Sequence, residues 1–474
     1  MTQAEKIAAF VSRADYERIS DVARHALKAR VLDSIGCAIG ALDGEPIHYA
    51  RELTAEFGGN GRCTLIGGGT TSPDRAAFYN GGLVRYLDFM DSYAAKAETC
   101  HPCDNLASIL AASEYAGCNG AEFITALAVA YQVQCRLLDL LPVTPQGFDH
   151  VTQLAISIAA GVSKALGLDE SKTAHAIALC TNGSPALGAL RTGQRLSHWK
   201  GLASAQTAFA SVHAVFLAMR GVTGPLEVFE GKKGFSEATR AKGEVKWEEE
   251  SLEMAARTIV KRFNAEVHTQ SVLEGVLELR ESERLSANQV EEVEMVIFQT
   301  AYDITGGGQY GDRHEVHNKE TADHSIPYLV AALILDGEVW PEQFAQERVE
   351  RRDVQELLKR VKVRPQNLVE KAASPLHSYD QRYPEEFPCH ITIRLKDGRE
   401  LESEKCDFEG FFSRPMAWDR LVSKFDRLSS RFADSYLRRD IVQAVSGLEG
   451  IRVSDLTALL AKVDSTVGEK RAAS

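Results

Sequence analysis

A chain of 474 residues is too long for one hydrophobic core, since cores stop growing near ~250–300 residues, so two domains are expected. Hydrophobic content of 44% and charged content of 25% are those of an ordinary globular protein, and a net charge of −12 makes nucleic acid and anionic membrane poor partners. An anionic substrate would need cations gathered around it locally. No uninterrupted apolar run reaches the ~18 residues of a membrane span. The opening "MTQAEKIAAFVSRADYERIS" carries Glu5, Asp15 and Glu17 where a targeting signal would be apolar or acid-poor. The nine cysteines are odd in number, and several lie in apolar stretches such as "SIGCAIGAL" and "AIALCT". They read as buried thiols in a reducing cytoplasm, not as a disulfide framework.

In chain order, residues 1 to about 270 read as helical. "DYERISDVARHALKARVLDSIGCAIGAL" keeps apolar residues three and four apart. "CDNLASILAASEYAGCNGAEFITALAVAYQVQCRLLDLL" reads as two helices around a Cys118-Asn119-Gly120 turn. "TQLAISIAAGVSKALGL", "ESKTAHAIALCT" and "GLASAQTAFASVHAVFLAMRGV" continue the pattern, rich in Ala and apolar on most sides. After Ser271 the pattern changes. "VEEVEMVIF" alternates like a half-buried strand, and "HITIRLKDGRELESEKC" is a hairpin turning at Asp397-Gly398. Helices near Ser325–Leu335 and Arg348–Arg360 and a strand in "RVKVRP" lie between. The expectation is a mainly α protein: a large all-helical domain over 1–271, a smaller α+β lid domain over 272–412, and C-terminal helices over 413–474 returning to the first.

Several motifs carry chemistry. "GGGQYG" (Gly306–Gly311) satisfies G-x-G-x-x-G, but the polar "DRHEVHNKE" follows where a dinucleotide site needs a helix, so a glycine-rich loop is expected. "CHPC" (Cys100–Cys103) is a lone C-x-x-C without the further ligands zinc or an iron–sulfur cluster requires. His101 is its informative residue. Asp88 and Asp91 in "RYLDFMDSY" are spaced to share one helical face, either as solvated carboxylates at a helix end or as site residues. His150 in "GFDHVTQ" precedes an apolar helix, where it is a cap or a site residue. Lys200 in "LSHWKGLASA" stands at the entrance to an Ala-rich helix. "KRFNAEVHTQS" places Lys261 and His268 at the junction of the two halves, a favoured place for small-molecule pockets. "NKETADHSIPYLV" crowds Lys319, Glu320, Asp323 and His324 ahead of Tyr328 and a buried run.

Taken in order, "RYLDFMDSY", "HPCDNLASILA", "GFDHVTQ", "WKGLASA", "KRFNAEVHTQS" and "KETADHSIPY" resemble the MmgE/PrpD family, from about Ile19 to the C-terminal helices. That family includes 2-methylcitrate dehydratase, cis-aconitate decarboxylase and iminodisuccinate epimerase. The resemblance implies a helical domain, an α+β lid closing on the substrate, a homodimer, and catalysis without metal or organic cofactor. It implies proton-transfer roles for Asp88, His101, His150, His268 and Tyr328, and substrate binding by Ser92, Lys200, Lys261 and Lys319. Where cis-aconitate decarboxylase has a lysine before "WKG", this chain offers Arg195. The "HPCDN" stretch leans toward the dehydratase branch.

Such a site holds a small di- or tricarboxylate with Lys and His donors. It removes a proton α to a carboxylate and protonates a departing hydroxyl, which needs a base and an acid with separated pKa values. Asp323 and His324 are placed to orient Tyr328. The reading is a cytoplasmic, cofactor-independent hydro-lyase acting on 2-methylcitrate or a related hydroxy-tricarboxylate. Isomerisation or epimerisation of a dicarboxylate, and decarboxylation, use the same residues. An iron–sulfur enzyme built on "CHPC" and a non-catalytic binding protein are the readings from other classes.

Overall fold

The computed structural model describes residues 1–58, 61–192, 196–373 and 378–464. The chain divides into two compact units: Met1–Ala189 with Gly201–Val260 and the stretch from Met416, and Leu190–Lys200 with Lys261–Pro415.

The first unit is built from helices whose small residues let them approach closely. The Asp21–Gly40 helix starts at Ser20, whose side chain accepts from the Ala23 amide, and buries Leu27, Val31, Leu32, Ile35 and Ile39. A Cβ on Gly36 would stand 3.3 Å from the Phe425 Cα, so the absent side chain is what lets the Trp418–Ser429 helix pack against it. The Gly120–Leu140 helix opens on a capping box between Asn119 and Glu122 and packs on the Val151–Ala165 helix. At Gly161 an added Cβ would meet Ile109 Cδ1 at 2.7 Å and Ala130 Cβ at 2.9 Å. Gly120–Leu140 and Trp199–Met219 are long and apolar enough to cross a membrane by length and composition, although polar and charged residues interrupt both apolar runs. The apolar stretch of Gly120–Leu140 is 83% buried within the protein.

The second unit carries a four-stranded mixed sheet in the order Val361–Pro365, Val290–Ile297, Cys389–Leu395, Glu400–Lys405. The first pair is parallel, with Val293 opposite Val361; the others are antiparallel, with Met295 opposite Ile391 and Ile391 opposite Ser403. The expected hairpin turns at Gly398, in the left-handed region at φ 89°. The Gln270–Ser282 helix covers the sheet.

This unit begins at Lys261, earlier than the change of hydrophobic pattern after Ser271. The reason lies in hydrogen bonds. The Asn264 amide donates to the Val339 carbonyl at 3.0 Å, the Glu266 amide to the Asp323 carbonyl at 2.9 Å, and Arg262 Nη1 to Glu274 at 2.7 Å. These tie an irregular segment to the sheet side, and no periodicity announces them.

Candidate active site

In the first unit the helix Pro73–Tyr86 stops before the acidic pair, because Asp88 turns into the left-handed region at φ 57°. Asp tolerates that conformation better than most residues. Asp88 and Asp91 therefore do not share a helical face, correcting the reading of their spacing. Asp88 instead pairs with Arg85 at 2.9 Å, with both side chains buried.

Asp91 is fully buried and accepts from the Cys103 amide at 3.0 Å and the Tyr131 hydroxyl at 2.8 Å. Burial raises its pKa, against those hydrogen bonds and the charge of Arg30. Its backbone carbonyl lies 2.9 Å from His101 Nδ1. A carbonyl only accepts, so Nδ1 carries the proton and, in the neutral ring, Nε2 carries the lone pair. The Ser92 hydroxyl stands 3.1 Å from the same Nδ1. The expected substrate contact Ser92 thus sits on an imidazole. His150 occupies the N-cap position of Val151–Ala165 without a capping bond from its side chain. Its ring meets His101 edge-on, centroids 5.4 Å apart. Asp88, Ser92, His101 and His150 thus all belong to this first unit.

Cys100 and Cys103 are buried, and burial drives both thiols well above their ordinary pKa. The protonated thiol is the weaker metal ligand.

In the second unit Asp323 is the hub. Its carboxylate receives Lys200 Nζ at 2.9 Å, Lys319 Nζ at 3.2 Å and His324 Nδ1 at 2.7 Å, and no part of it is exposed. Burial alone would raise its pKa; Lys200, Lys319 and His324 hold it below the usual carboxylate range instead. Glu266, whose amide donates to the Asp323 carbonyl, accepts from the His268 amide at 2.7 Å and lies 2.8 Å from His268 Nδ1. The Tyr383 hydroxyl lies 3.1 Å from His268 Nε2. The imidazole is stacked on Phe387, centroids 5.3 Å apart. Burial works against ionisation of Glu266, and His268, His324 and Lys261 overcome it, so its pKa is lowered.

Arg313 completes the group. Its Nε donates to the Ile304 carbonyl at 2.8 Å; burial lowers its pKa, with Glu266 and Asp323 pulling it back up. Lys200, Lys261, Lys319 and Arg313 therefore act on two carboxylates, Glu266 and Asp323.

The Tyr328 hydroxyl donates to the Gln343 carbonyl, and burial pushes the phenol up. Asp323 and His324 do not orient it; they engage Lys200. The physical reason is burial: the Ile326–Asp336 helix is buried on every side from Ile326 to Ile334, and the phenol finds its acceptor in the Gln343 carbonyl. Tyr383, not Tyr328, is the phenol on a site imidazole. Sequence reading missed Tyr383, Glu266, Arg313 and Tyr131. Glu266 left a signal, an acid two residues before His268 and five after Lys261. Gly306–Gly311 follows a π-helical turn over Tyr302–Gly306, and the next helix among the described residues is only Lys319–Ala322. That is a loop, without the helix N-terminus a dinucleotide needs. Arg195 lies outside the described residues.

Known proteins share these segments. The MmgE/PrpD N-terminal domain matches residues 5–248 and the MmgE/PrpD C-terminal domain residues 263–449. Cis-aconitate decarboxylase of Homo sapiens is 25% identical over 460 residues, covering 91% of this chain and 89% of the human protein. The mitochondrial 2-methylcitrate dehydratase of Yarrowia lipolytica is 24% identical over 475 residues, covering 95% and 88%. The 2-methylcitrate dehydratase of Escherichia coli K12 is 23% identical over 411 residues, 82% of each chain.

Proposed function

This chain belongs to the MmgE/PrpD family, and on that premise we propose that it is a cofactor-independent hydro-lyase dehydrating 2-methylcitrate or a related hydroxy-tricarboxylate. The observation that carries the reading is the gathering of Lys200, Lys261, Lys319 and Arg313 about the buried carboxylates Asp323 and Glu266, in a chain whose net charge is −12. Such a group is built to receive added carboxylates.

The reaction breaks a C–H bond α to a carboxylate and a C–O bond beside it, forming an alkene and water. A base takes the proton, an acid protonates the hydroxyl, and cations balance enolate-like charge in the transition state. His101, an imidazole of defined tautomer with His150 against it, and His268, oriented by Glu266 as a carboxylate orients a base, are the candidate proton-transfer groups. Lys200, Lys261, Lys319 and Arg313 are the candidate cations. Base, acid and charge are thus all present as side chains.

Decarboxylation is the second reading, favoured by the similarity to human cis-aconitate decarboxylase over 91% of this chain. Loss of carbon dioxide leaves a carbanion that the same cations would stabilise and the same imidazoles protonate. One experiment separates the two. Purified protein is given 2-methylcitrate and, separately, cis-aconitate, while alkene absorbance at the ultraviolet edge and carbon dioxide release are followed. Alkene formed from 2-methylcitrate is expected. Carbon dioxide from cis-aconitate with inert 2-methylcitrate would move the assignment to decarboxylation. Affinity for both acids with turnover of neither would sink both readings.

A further inference from the structure

We propose that Lys424, on the C-terminal helix Trp418–Ser429, is a positioning residue that sets the orientation and tautomer of His101. The proposal rests on the proton-transfer role given to His101 above. Lys424 shares its helix face with the buried Leu421, Phe425 and Leu428, and is itself 5% exposed. Its Nζ stands 2.7 Å from Asp33 Oδ1, donates to the Phe89 carbonyl at 2.8 Å, and lies 3.8 Å from the centre of the Phe89 ring. A buried ion pair seldom stabilises a fold more than apolar residues of like size would. What an apolar pair could not do is hold a backbone carbonyl.

That carbonyl lies in the segment that fixes His101. Asp88 is in the left-handed region at φ 57° and is tied to Arg85. The Asp91 carbonyl, two residues beyond Phe89, receives His101 Nδ1. Ser92 exchanges backbone hydrogen bonds with Ile259, at 2.9 and 2.7 Å. Asp33 has a neighbour on its own helix with a matching task. Arg30 donates to the Thr258 hydroxyl at 2.8 Å and the Thr258 carbonyl at 2.6 Å, next to Ile259. One helix thus anchors both strands of the Ser92–Ile259 bridge: one directly through Arg30, the other through Asp33 and Lys424. Freed from Lys424, the Phe89 peptide can rotate, and the Asp91 carbonyl moves with it. His101 then loses the acceptor that keeps its proton on Nδ1.

The test separates positioning from stability. Lys424→Met leaves the Asp33 carboxylate without its ammonium and should lower the melting temperature. The double variant Asp33→Asn/Lys424→Met removes both charges and should regain it. The two are then read by long-range nitrogen–proton NMR on histidine-labelled protein, and by kinetics with the acid the wild type turns over. Positioning predicts that the double variant, although stable, has altered His101 nitrogens, a displaced limb in the pH profile of kcat, and kcat lower by about 100-fold, the order expected for a misplaced catalytic group. KM should stay within about threefold. Wild-type His101 nitrogens and wild-type kcat in the stable double variant would overturn the proposal. Should the double variant not fold, Lys424→Met, which cannot donate to the Phe89 carbonyl, is read by the same NMR below its melting temperature; unchanged His101 nitrogens there would overturn it equally. A wild type that turns over none of the acids refutes the functional reading alone, and the NMR arm still decides the positioning.

Discussion

Asp91 and Asp323 are both fully buried aspartates, yet their carboxyls are driven in opposite directions. For Asp91 burial prevails, with an amide, a phenol and the more remote charge of Arg30 opposing it. For Asp323 burial acts the same way, but Lys200, Lys319 and His324 outweigh it. The two neutral donors on Asp91 do not outweigh its desolvation, whereas two lysines and a histidine outweigh that of Asp323. The two regions thus do different work. The first is a hydrogen-bonded frame that fixes an imidazole through backbone carbonyls and amides. The second is a charged group in which lysines hold a buried carboxylate ionised.

The comparison breaks most decisively at His101. If the first region exists to present that ring, His101→Asn should lower kcat by a factor on the order of 10²–10⁴, the usual worth of a proton-transfer group. Steady-state kinetics with folding checked by circular dichroism measures it. Near-native kcat would remove His101 from the site.

Next in size is a pair of substitutions that sets the two aspartates against each other. Asp323→Asn leaves Lys200 and Lys319 facing a neutral amide, and breaking a buried ion pair from one side costs about 3–5 kcal/mol. Asp91→Asn removes a charge that burial already disfavours, so the loss should be nearer the ~1–3 kcal/mol of an unsatisfied hydrogen-bonding group. Urea unfolding of both variants gives the two numbers. Equal losses would mean that the cations around Asp323 do not set its environment apart.

Lys200→Met sharpens the role of the charged region. A charge-assisted contact to a substrate carboxylate is worth about 1.5–3 kcal/mol, roughly ten- to a hundred-fold in KM. An unchanged KM would leave Lys200 as the counter-ion of Asp323 and nothing more.

Much of this was legible in the sequence, for identifiable reasons. Helices and strands followed from apolar periods, so the sheet strands Val290–Ile297 and Cys389–Leu395 fall where the alternation sits. His101, His150, Lys200, His268 and Asp323 each stood out as a polar residue beside an apolar run. What could not be read was long-range pairing. Nothing local to Tyr383 says that its hydroxyl meets an imidazole 115 positions away. Tyr328 misled because a phenol after "ADHSIP" looks poised for chemistry, while its buried hydroxyl finds its acceptor in the Gln343 carbonyl. Lys424 did leave a trace: it is the one charge among the buried residues of an amphipathic helix.

The opposite pKa directions also predict opposite pH responses. Asp323 and Glu266 titrate below their ordinary 3.8 and 4.5 in the folded chain. Their stabilisation is complete above those values and fades as pH falls through the depressed folded pKa. Glu274, burial notwithstanding, is held to about 2 by the Glu409 amide, Arg414 and Lys405, so its share is lost between 4.5 and about 2. Asp91 and Glu98 are raised above 3.8 and 4.5 by burial, so ionising them costs stability as pH rises, and acid relieves that cost. On going from neutral pH to about 3.5, hydrogen-exchange protection should therefore fall earlier in the strand Val290–Ile297 than in the helix Gly120–Leu140. The reverse order would show that carboxylates outside these two groups govern acid unfolding.

The smallest effect is expected at Cys100 and Cys103. Both thiols lie in the first region, beside His101, and both are driven by burial toward the protonated form. Cys103 serves Asp91 through its backbone amide, which any residue supplies. Cys100→Ser/Cys103→Ser should therefore keep most of the wild-type kcat, with a modest loss of stability from burying two hydroxyls, on the order of 1–3 kcal/mol each if they find no partner. Metal analysis of the wild type accompanies the kinetics. Abolished turnover in a folded double variant, together with stoichiometric zinc or iron in the wild type, would make the thiols ligands and replace the hydrogen-bonded frame of the first region with a metal centre.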